Sequence, residues 1–158
     1  MWFKSRQGRN VNPKPNTCTQ IHIQAVFTVQ NRDCIIHNNW KDELYKNITG
    51  IVQQNNHKLL AINGMQDHIP VLFGLRPPQS FSDLMQDIKG NSSKWINEKK
   101  FVRGIFFWQE GYGAFSYCKS ELPGGIMYIK DQQNHHRHKS FIEEYLVMPR
   151  EFEIEYND

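Results

Sequence analysis

The sequence predicts an α+β fold: a ferredoxin-like split βαβ antiparallel sheet with its helices on one face. Stretches rich in β-branched and aromatic residues alternate with stretches of helical periodicity, in the order strand, helix, strand, strand, helix, strand. An extra C-terminal helical region, which carries Tyr128, follows the last strand. At 158 residues and 39% hydrophobic, the chain is long enough for one domain with its own core. The second sheet face is then free for a partner, and single-stranded nucleic acid is a common one.

The first half of the chain supplies a strand, a helix and a hairpin. The segment "TQIHIQAVFTV", 19–29, crowds β-branched and aromatic residues together, which is typical of a strand. Apolar residues at helical spacing predict a helix from Trp40 to about 53–56, with Asn38 or Asn39 as its cap. "HKLLAING" and "DHIPVLFGL" are apolar stretches separated by turn-prone residues, which indicates an antiparallel hairpin.

The second half supplies the remaining helices and strand. Ser80 and Asp83 have the spacing of a capping box before an apolar helical stripe, and Gly90 weakens this helix midway. "GIFFWQEGYGAFSY", 104–117, predicts one or two short strands. A last helical region is expected after "LPGG", through "IMYIKDQQNHHRHK", and Pro149 stops any continuation.

Composition narrows the class of protein. Residues 1–18 have no periodicity and are expected to be a flexible extension, with 19–158 as a single domain. No apolar run is long enough to span a membrane or to serve as a secretion signal. Three widely spaced cysteines without a CxxC pair indicate reduced thiols in a cytosolic protein.

The net charge of +3 fits a nucleic-acid partner but is also common in proteins that have none. Lys89, Lys94 and Arg103 belong to a basic run that could follow a phosphate backbone. A solvated helix face is the alternative, and composition alone favours it.

One predicted strand carries a histidine beside an unexpected proline. Side chains alternate in "DHIPVLF", so His68 and Pro70 share a face. Two histidines at these positions would begin a site for a divalent metal ion, but only the first is present. A lone strand histidine is more often a satisfied sheet residue than a metal ligand.

The last helical region contains a second group of polar residues. Tyr128 and Gln132 are four residues apart and fall on one helix face, with His135 and His136 a further turn along. A tyrosine hydroxyl can attack a phosphodiester, and a nearby metal would stabilise the developing charge. The alternative is a tyrosine in the core of an amphipathic helix.

From about Thr19 to Tyr156 the chain resembles the HUH-class single-tyrosine transposases of bacterial insertion sequences, including the REP-associated tyrosine transposases. The resemblance is carried by "QIHIQAVF", "WKDELYKNITGIVQQNNHKLLAINGMQDHI", "SFSDLMQDIKGNSSKWINEKKF", "FFWQEGYGAFSY" and "YIKDQ". The last stretch is specific, because a helical tyrosine followed four residues later by glutamine gives that family its nucleophile and a metal ligand.

The resemblance implies a metal-dependent enzyme that moves DNA. In that family two histidines of a central strand and the helical glutamine bind Mg²⁺ or Mn²⁺, and the tyrosine forms a 5′-phosphotyrosine link to single-stranded DNA. His68 matches the first histidine, Tyr128 the nucleophile and Gln132 the third ligand. The resemblance also implies hairpin recognition, a homodimer in which the tyrosine helix acts in cis or in trans, no membrane association and a bacterial cytoplasmic location.

Pro70 departs from the family pattern, because it stands at the second histidine and cannot bind a metal. We therefore expect metal binding to be weakened or lost, unless His136 and water substitute. One hypothesis is a transposase that cleaves and rejoins hairpin-forming single-stranded DNA, with impaired catalysis. A second is a non-catalytic single-stranded DNA-binding relic. A third, an RNA-binding ferredoxin-like domain, is weaker because the sequence lacks an aromatic RNP signature.

Overall fold

Four antiparallel strands form one sheet in the order β2-β3-β1-β4. A computed structural model of the chain describes residues 19–76 and 79–135. The strands are β1 Ile21–Thr28, β2 Lys58–Ile62, β3 His68–Leu75 and β4 Gly113–Tyr117. This order and the helices between the strands confirm the predicted ferredoxin-like fold class. The strand that carries His68 and Pro70 is central, since β3 pairs with both β1 and β2.

The two long helices cover one face of the sheet. They are α1 Lys41–Gln54 and α2 Phe81–Lys99, and their apolar stripes pack against alternate β3 residues, Ile69, Val71 and Phe73. The predicted cap of α2 is confirmed, because Ser80 Oγ accepts a hydrogen bond of 3.1 Å from the backbone N–H of Asp83. The helix continues through Gly90 to Lys99.

The predicted asparagine cap of α1 is wrong. The capping residue is Trp40, and no side chain bonds to the first turn. Trp40 is instead buried and stacks on Phe101 with ring centroids 5.0 Å apart. Packing of the indole therefore fixes the entry to α1, because an aromatic pair of this kind contributes beyond its buried area.

The opposite face carries the helix that contains the tyrosine. This helix, α3, spans Leu122–Lys130, and α4, Gln132–His135, follows after a break at Asp131. Because α3 packs on Ala61 of β2 and Leu72 of β3, the expectation of a free second face is wrong over these strands. Part of the predicted last helical region, and residues 1–18 and 136–158, lie outside the described residues.

The start of α3 also differs from the prediction. The helix begins at Leu122 and includes the "PGG" expected to precede it. Pro123 is tolerated there because the first turn needs no N–H donor. Gly125 is buried, and a Cβ at this position would lie 2.9 Å from Cε1 of Tyr117 in β4. The glycine therefore allows α3 to lie close against the sheet.

Candidate active site

His68 begins β3 and is buried beside a carboxylate. Its Nδ1 lies 2.6 Å from Asp67 Oδ1, and Asp67 Oδ2 accepts a hydrogen bond of 2.8 Å from the Arg32 guanidinium. Burial alone would raise the pKa of Asp67, but the contacts with His68 and Arg32 outweigh it and lower that pKa to about 2. Asp67 is therefore ionised at neutral pH. An Nδ1–H that donates to this carboxylate leaves the ring's lone pair on Nε2, the nitrogen that could bind a metal.

Arg32 reaches this carboxylate from the loop after β1. The backbone N–H of Val29 donates to the Asp67 carbonyl at 2.8 Å, which holds the loop against the start of β3. Asn31 and Arg32 both have left-handed backbone, with φ of 57° and 58°, which is uncommon outside glycine. Such conformations persist where the surrounding structure imposes them and are frequent at functional sites.

Sequence reasoning missed both partners of His68. The adjacent "DH" dipeptide was a signal for Asp67, because a carboxylate next to a histidine can bond its ring. Arg32 is 35 residues from Asp67, and only the pairing of β1 with β3 brings the two together.

Pro70 shares the face of His68 and is buried in the central strand. Its carbonyl accepts a hydrogen bond of 3.4 Å from the backbone N–H of Asn63, the first residue after β2. In an antiparallel pair the N–H and C=O of one residue point to the same neighbour. The N–H that proline lacks would therefore face the end of β2 and not β1. The proline costs the sheet at most one ladder bond at its margin.

Tyr128 lies on α3, half-buried against the sheet face that also carries His68 and Pro70. Gln132 is buried in α4, and its Nε2 donates to the Tyr128 carbonyl at 3.2 Å. The predicted pair is therefore close in space even though the helix breaks between its members. The amide of Gln132 bridges the break.

Asn63 fixes the end of the tyrosine helix. Its Nδ2 donates to the carbonyls of Ile129 and Lys130, each at 3.0 Å, which are acceptors left over at a helix C-terminus. Its Oδ1 accepts from the backbone N–H of Gly64 at 2.9 Å and from the Tyr45 hydroxyl at 3.4 Å. One side chain therefore ties α3 to the β2–β3 turn and to α1. No local pattern predicts these contacts, because Asn63 and Lys130 are 67 residues apart.

The predicted DNA-binding residues lie in the other layer, on α2 and the loop that follows it. Lys89 Nζ donates to the carbonyls of Gln109 and Gly111, both at 2.7 Å, and burial lowers its pKa. Lys94 is exposed and lies 3.9 Å from Glu98, and Arg103 is exposed in the loop. The sheet therefore separates these cations from Tyr128.

The described residues do not complete a metal site of the predicted kind. Among 19–76 and 79–135 there is no group of three His, Cys, Asp or Glu side chains that could hold an ion. Pro70 offers no donor beside His68, so of the three predicted ligand positions only those of His68 and Gln132 carry a donor, the latter through Oε1, because its Nε2 bonds the Tyr128 carbonyl. His136, the predicted substitute ligand, lies outside these ranges. The described residues therefore offer fewer metal-binding donors than the three protein ligands that the sequence resemblance implies.

The family model described as "Transposase IS200 like" matches residues 17–132, which is most of the chain. The chain belongs to the IS200-like transposase family. This family is generally metal-dependent. The match includes β1 to β4, His68, Tyr128 and Gln132. A search of curated proteins gave no significant match.

Two solved structures resemble this IS200-like transposase in fold. The first is a candidate transposase from Deinococcus radiodurans, with TM-score 0.60 and 19% identity over 81% of this chain and 98% of that one. The second is a REP-associated tyrosine transposase bound to a REP hairpin, with TM-score 0.59 and 14% identity over 75% of this chain and 70% of that one. At such identities the likeness concerns the fold. No helix in the described part of the chain is long and apolar enough to cross a membrane.

Proposed function

We propose that this protein acts on hairpin-forming single-stranded DNA in transposition, with Tyr128 as the nucleophile. The observation that carries the proposal is the position of Tyr128. It lies on a helix packed over the sheet face of His68, within a chain that belongs to the IS200-like transposases. The hairpin complex of a structural neighbour supports a DNA partner of the same kind.

The proposed step exchanges one phosphodiester for another. The Tyr128 hydroxyl oxygen attacks phosphorus, a Tyr–O–P bond forms at the 5′ phosphate, and the bond from phosphorus to the 3′ oxygen breaks. The phenolic proton is lost and the departing 3′ oxygen gains one, which leaves a free 3′-hydroxyl. The reverse attack by a 3′-hydroxyl rejoins the strand, so the number of phosphodiesters is conserved.

The same site predicts that cleavage is impaired. A His68 ring that donates its Nδ1–H to Asp67 has the tautomer that suits a ligand, but Pro70 withholds the second imidazole. Mg²⁺ or Mn²⁺ would have to be held by fewer protein donors, and loss of a ligand weakens binding. The missing imidazole at position 70 favours the competing function, which is single-stranded DNA binding without cleavage.

Lys94 and Arg103 are proposed as phosphate contacts away from the tyrosine. Both are exposed on the α2 side of the sheet, so they would meet a different part of the DNA from the strand at Tyr128. Lys89, the third predicted contact, already binds two carbonyls and would act by holding the loop before β4. A homodimer is part of the proposal through family membership.

The deciding experiment measures covalent DNA attachment. The protein is incubated with labelled hairpin-bearing single-stranded DNA from its genomic flanks and Mn²⁺, and adducts are resolved on a denaturing gel. Wild type is compared with Tyr128→Phe, Pro70→His and Pro70→Ala. The alanine variant is the matched control, because it restores the backbone N–H without adding an imidazole.

We expect a faint adduct from wild type and Pro70→Ala, a stronger one from Pro70→His, and none from Tyr128→Phe. If Pro70→His binds DNA but forms no adduct, the cleavage proposal is refuted and the DNA-binding function remains. Equal adduct in wild type and Pro70→His would refute the impairment. An adduct that survives in Tyr128→Phe would exclude Tyr128 as the nucleophile.

A further inference from the structure

A basic cavity of about 350 Å³ lies at the end of the sheet away from His68. It opens beneath the start of α3, where Leu122 forms part of its wall. The residues used below are His22, Lys58, Gly74, Arg76, Lys119 and Leu122. They come from three strands or strand ends and from the turn before α3, so the fold and not one flexible segment assembles the cavity.

A glycine opens the floor of this basic cavity. Lys58, Gly74 and His22 stand side by side across β2, β3 and β1 on the sheet face that carries α3. Gly74 has no side chain, which leaves the space between the lysine and the histidine empty. A Cβ at Gly74 would come no closer than 3.9 Å to His22, so a side chain at this position would not collide with its neighbours.

The chemistry of the lining is that of an anion site. Lys58, Arg76 and Lys119 contribute three positive charges, and among the described residues that line the cavity there is no carboxylate. Within the described ranges none of the three forms an ion pair. Like charges brought together repel one another in the empty cavity, so an anion bound among them is stabilised.

His22 provides an independent observation. Its Nδ1 is buried and has no hydrogen-bond partner in the part of the chain that the structure describes. Because Nδ1 is shielded from solvent, a ligand in the cavity would meet the Cδ2 edge of the ring, which faces the space over Gly74. The ligand therefore needs negative charge for the three cations and a carbon-bearing part that can pack on the ring. A phosphate with its attached nucleoside is such a ligand.

We propose that the basic cavity binds a phosphate and its nucleoside from the single-stranded DNA on which Tyr128 acts. This inference rests on the proposed function. Tyr128 is six residues along α3 from Leu122, a rise of about 9 Å, so one strand can contact both places. The cavity thus holds a nucleotide near the cleaved bond, on the same face of the sheet.

The test is the salt dependence of binding to the labelled hairpin-bearing strand, measured between about 50 and 200 mM salt. For single-stranded DNA the slope of log affinity against log salt falls by about 0.7 for each phosphate contact removed. We expect Lys119→Gln to lower the slope by about 0.7 and the triple variant Lys58→Gln, Arg76→Gln, Lys119→Gln by about 2. Lys46→Gln, which removes an exposed charge from α1 on the other face, should leave it unchanged.

A second variant fills the cavity without changing charge. Gly74→Val suits a strand and meets only ordinary contacts at its Cβ, so we expect the protein to fold. It should weaken DNA binding about tenfold, the loss expected when a charge-assisted contact cannot form. Circular dichroism and unfolding midpoints verify that each variant is folded.

The outcomes separate this inference from the proposed function. Wild type that fails to bind the strand contradicts the proposed function and the cavity with it. Wild type that binds, with Lys119→Gln and Lys46→Gln giving equal slopes or Gly74→Val binding normally, overturns the cavity alone. Inorganic phosphate that shifts the His22 ring signals in NMR spectra, while DNA leaves them unmoved, would assign the cavity to free phosphate and also overturn it.

Discussion

Replacing Gly125 by alanine tests the close approach of the tyrosine helix to the sheet. A Cβ at this position lies 2.9 Å from Tyr117 Cε1 and 3.3 Å from Cδ1 and Cζ. The ring cannot swing aside freely, because the Tyr117 hydroxyl donates a hydrogen bond of 2.8 Å to buried Gln24. Either the ring or α3 must move, and overpacking of this kind costs about 1 to 3 kcal/mol.

The neighbouring residue is the matched control. Gly124 is exposed in the same turn of α3, and a Cβ there meets no atom within 4 Å. Glycine to alanine in a helix stabilises by about 0.5 to 1 kcal/mol, and this gain applies at both positions. The difference between the two variants therefore isolates the contact with Tyr117. We expect Gly124→Ala to be more stable than Gly125→Ala by about 1 to 3 kcal/mol.

Urea unfolding followed by circular dichroism measures this difference, and thermal unfolding provides a second reading. For a chain of this size about 1 kcal/mol corresponds to about 2 to 4 °C in Tm. In the Pro70→His background, adduct formation with the labelled strand should fall in Gly125→Ala where α3 and not the Tyr117 ring moves, and should stay unchanged in Gly124→Ala. Equal stability of the two variants would refute the close approach.

Three further substitutions test other contacts of the fold. Asn63→Ala should destabilise by about 0.5 to 1.5 kcal/mol in urea unfolding, because partly buried partners lose their hydrogen bonds, and Asn63→Asp should cost at least as much, because it places a carboxylate against the two carbonyl oxygens at the C-terminus of α3; no loss in the alanine variant would contradict the described contacts. Ser80→Ala should cost about 1 kcal/mol through loss of the α2 cap, while Ser82→Ala, which removes a hydroxyl in the same turn, serves as its control; equal midpoints would contradict the cap. Burial raises the pKa of Tyr45 to about 12, so its hydroxyl stabilises the fold below pH 10 and this contribution is lost as the pH rises towards 12. Tyr45→Phe should therefore lose less stability than wild type over that range, and parallel pH curves would contradict the shift.

Local sequence signals predicted the elements whose cause is local. A short segment crowded with β-branched and aromatic residues predicted β1, and two apolar stretches separated by a few turn-prone residues predicted the β2–β3 hairpin. Ser80 capped α2 as expected, because a serine three residues before a backbone N–H needs no distant partner. The strand and helix order then left few arrangements other than a ferredoxin-like sheet.

Positions set by distant contacts could not be predicted in this way. The low helix propensity of "PGG" argues against a helix there. Gly125 nevertheless belongs to α3, because a Cβ at this position would collide with the Tyr117 ring and the packing therefore requires glycine. Arg32 and Asn63 bear on the candidate site through partners 35 and 67 residues away. A single sequence contains no signal for such pairs until the fold is known.

Pro70 separates the stability of the fold from the chemistry of the site. A proline in a central strand is expected to disrupt the sheet, because it removes a ladder donor. Here its backbone edge faces Asn63 just beyond the end of β2, so the pairing of β3 with β1 is complete from Ile21 to Thr28. The fold therefore accepts Pro70, while the proposed metal site has one imidazole fewer than the sequence resemblance implies. Because the surrounding strand pairing and the Asp67–His68 contact are intact, a histidine at position 70 would lie on a strand that is already formed. We therefore expect cleavage to increase in Pro70→His and not in Pro70→Ala.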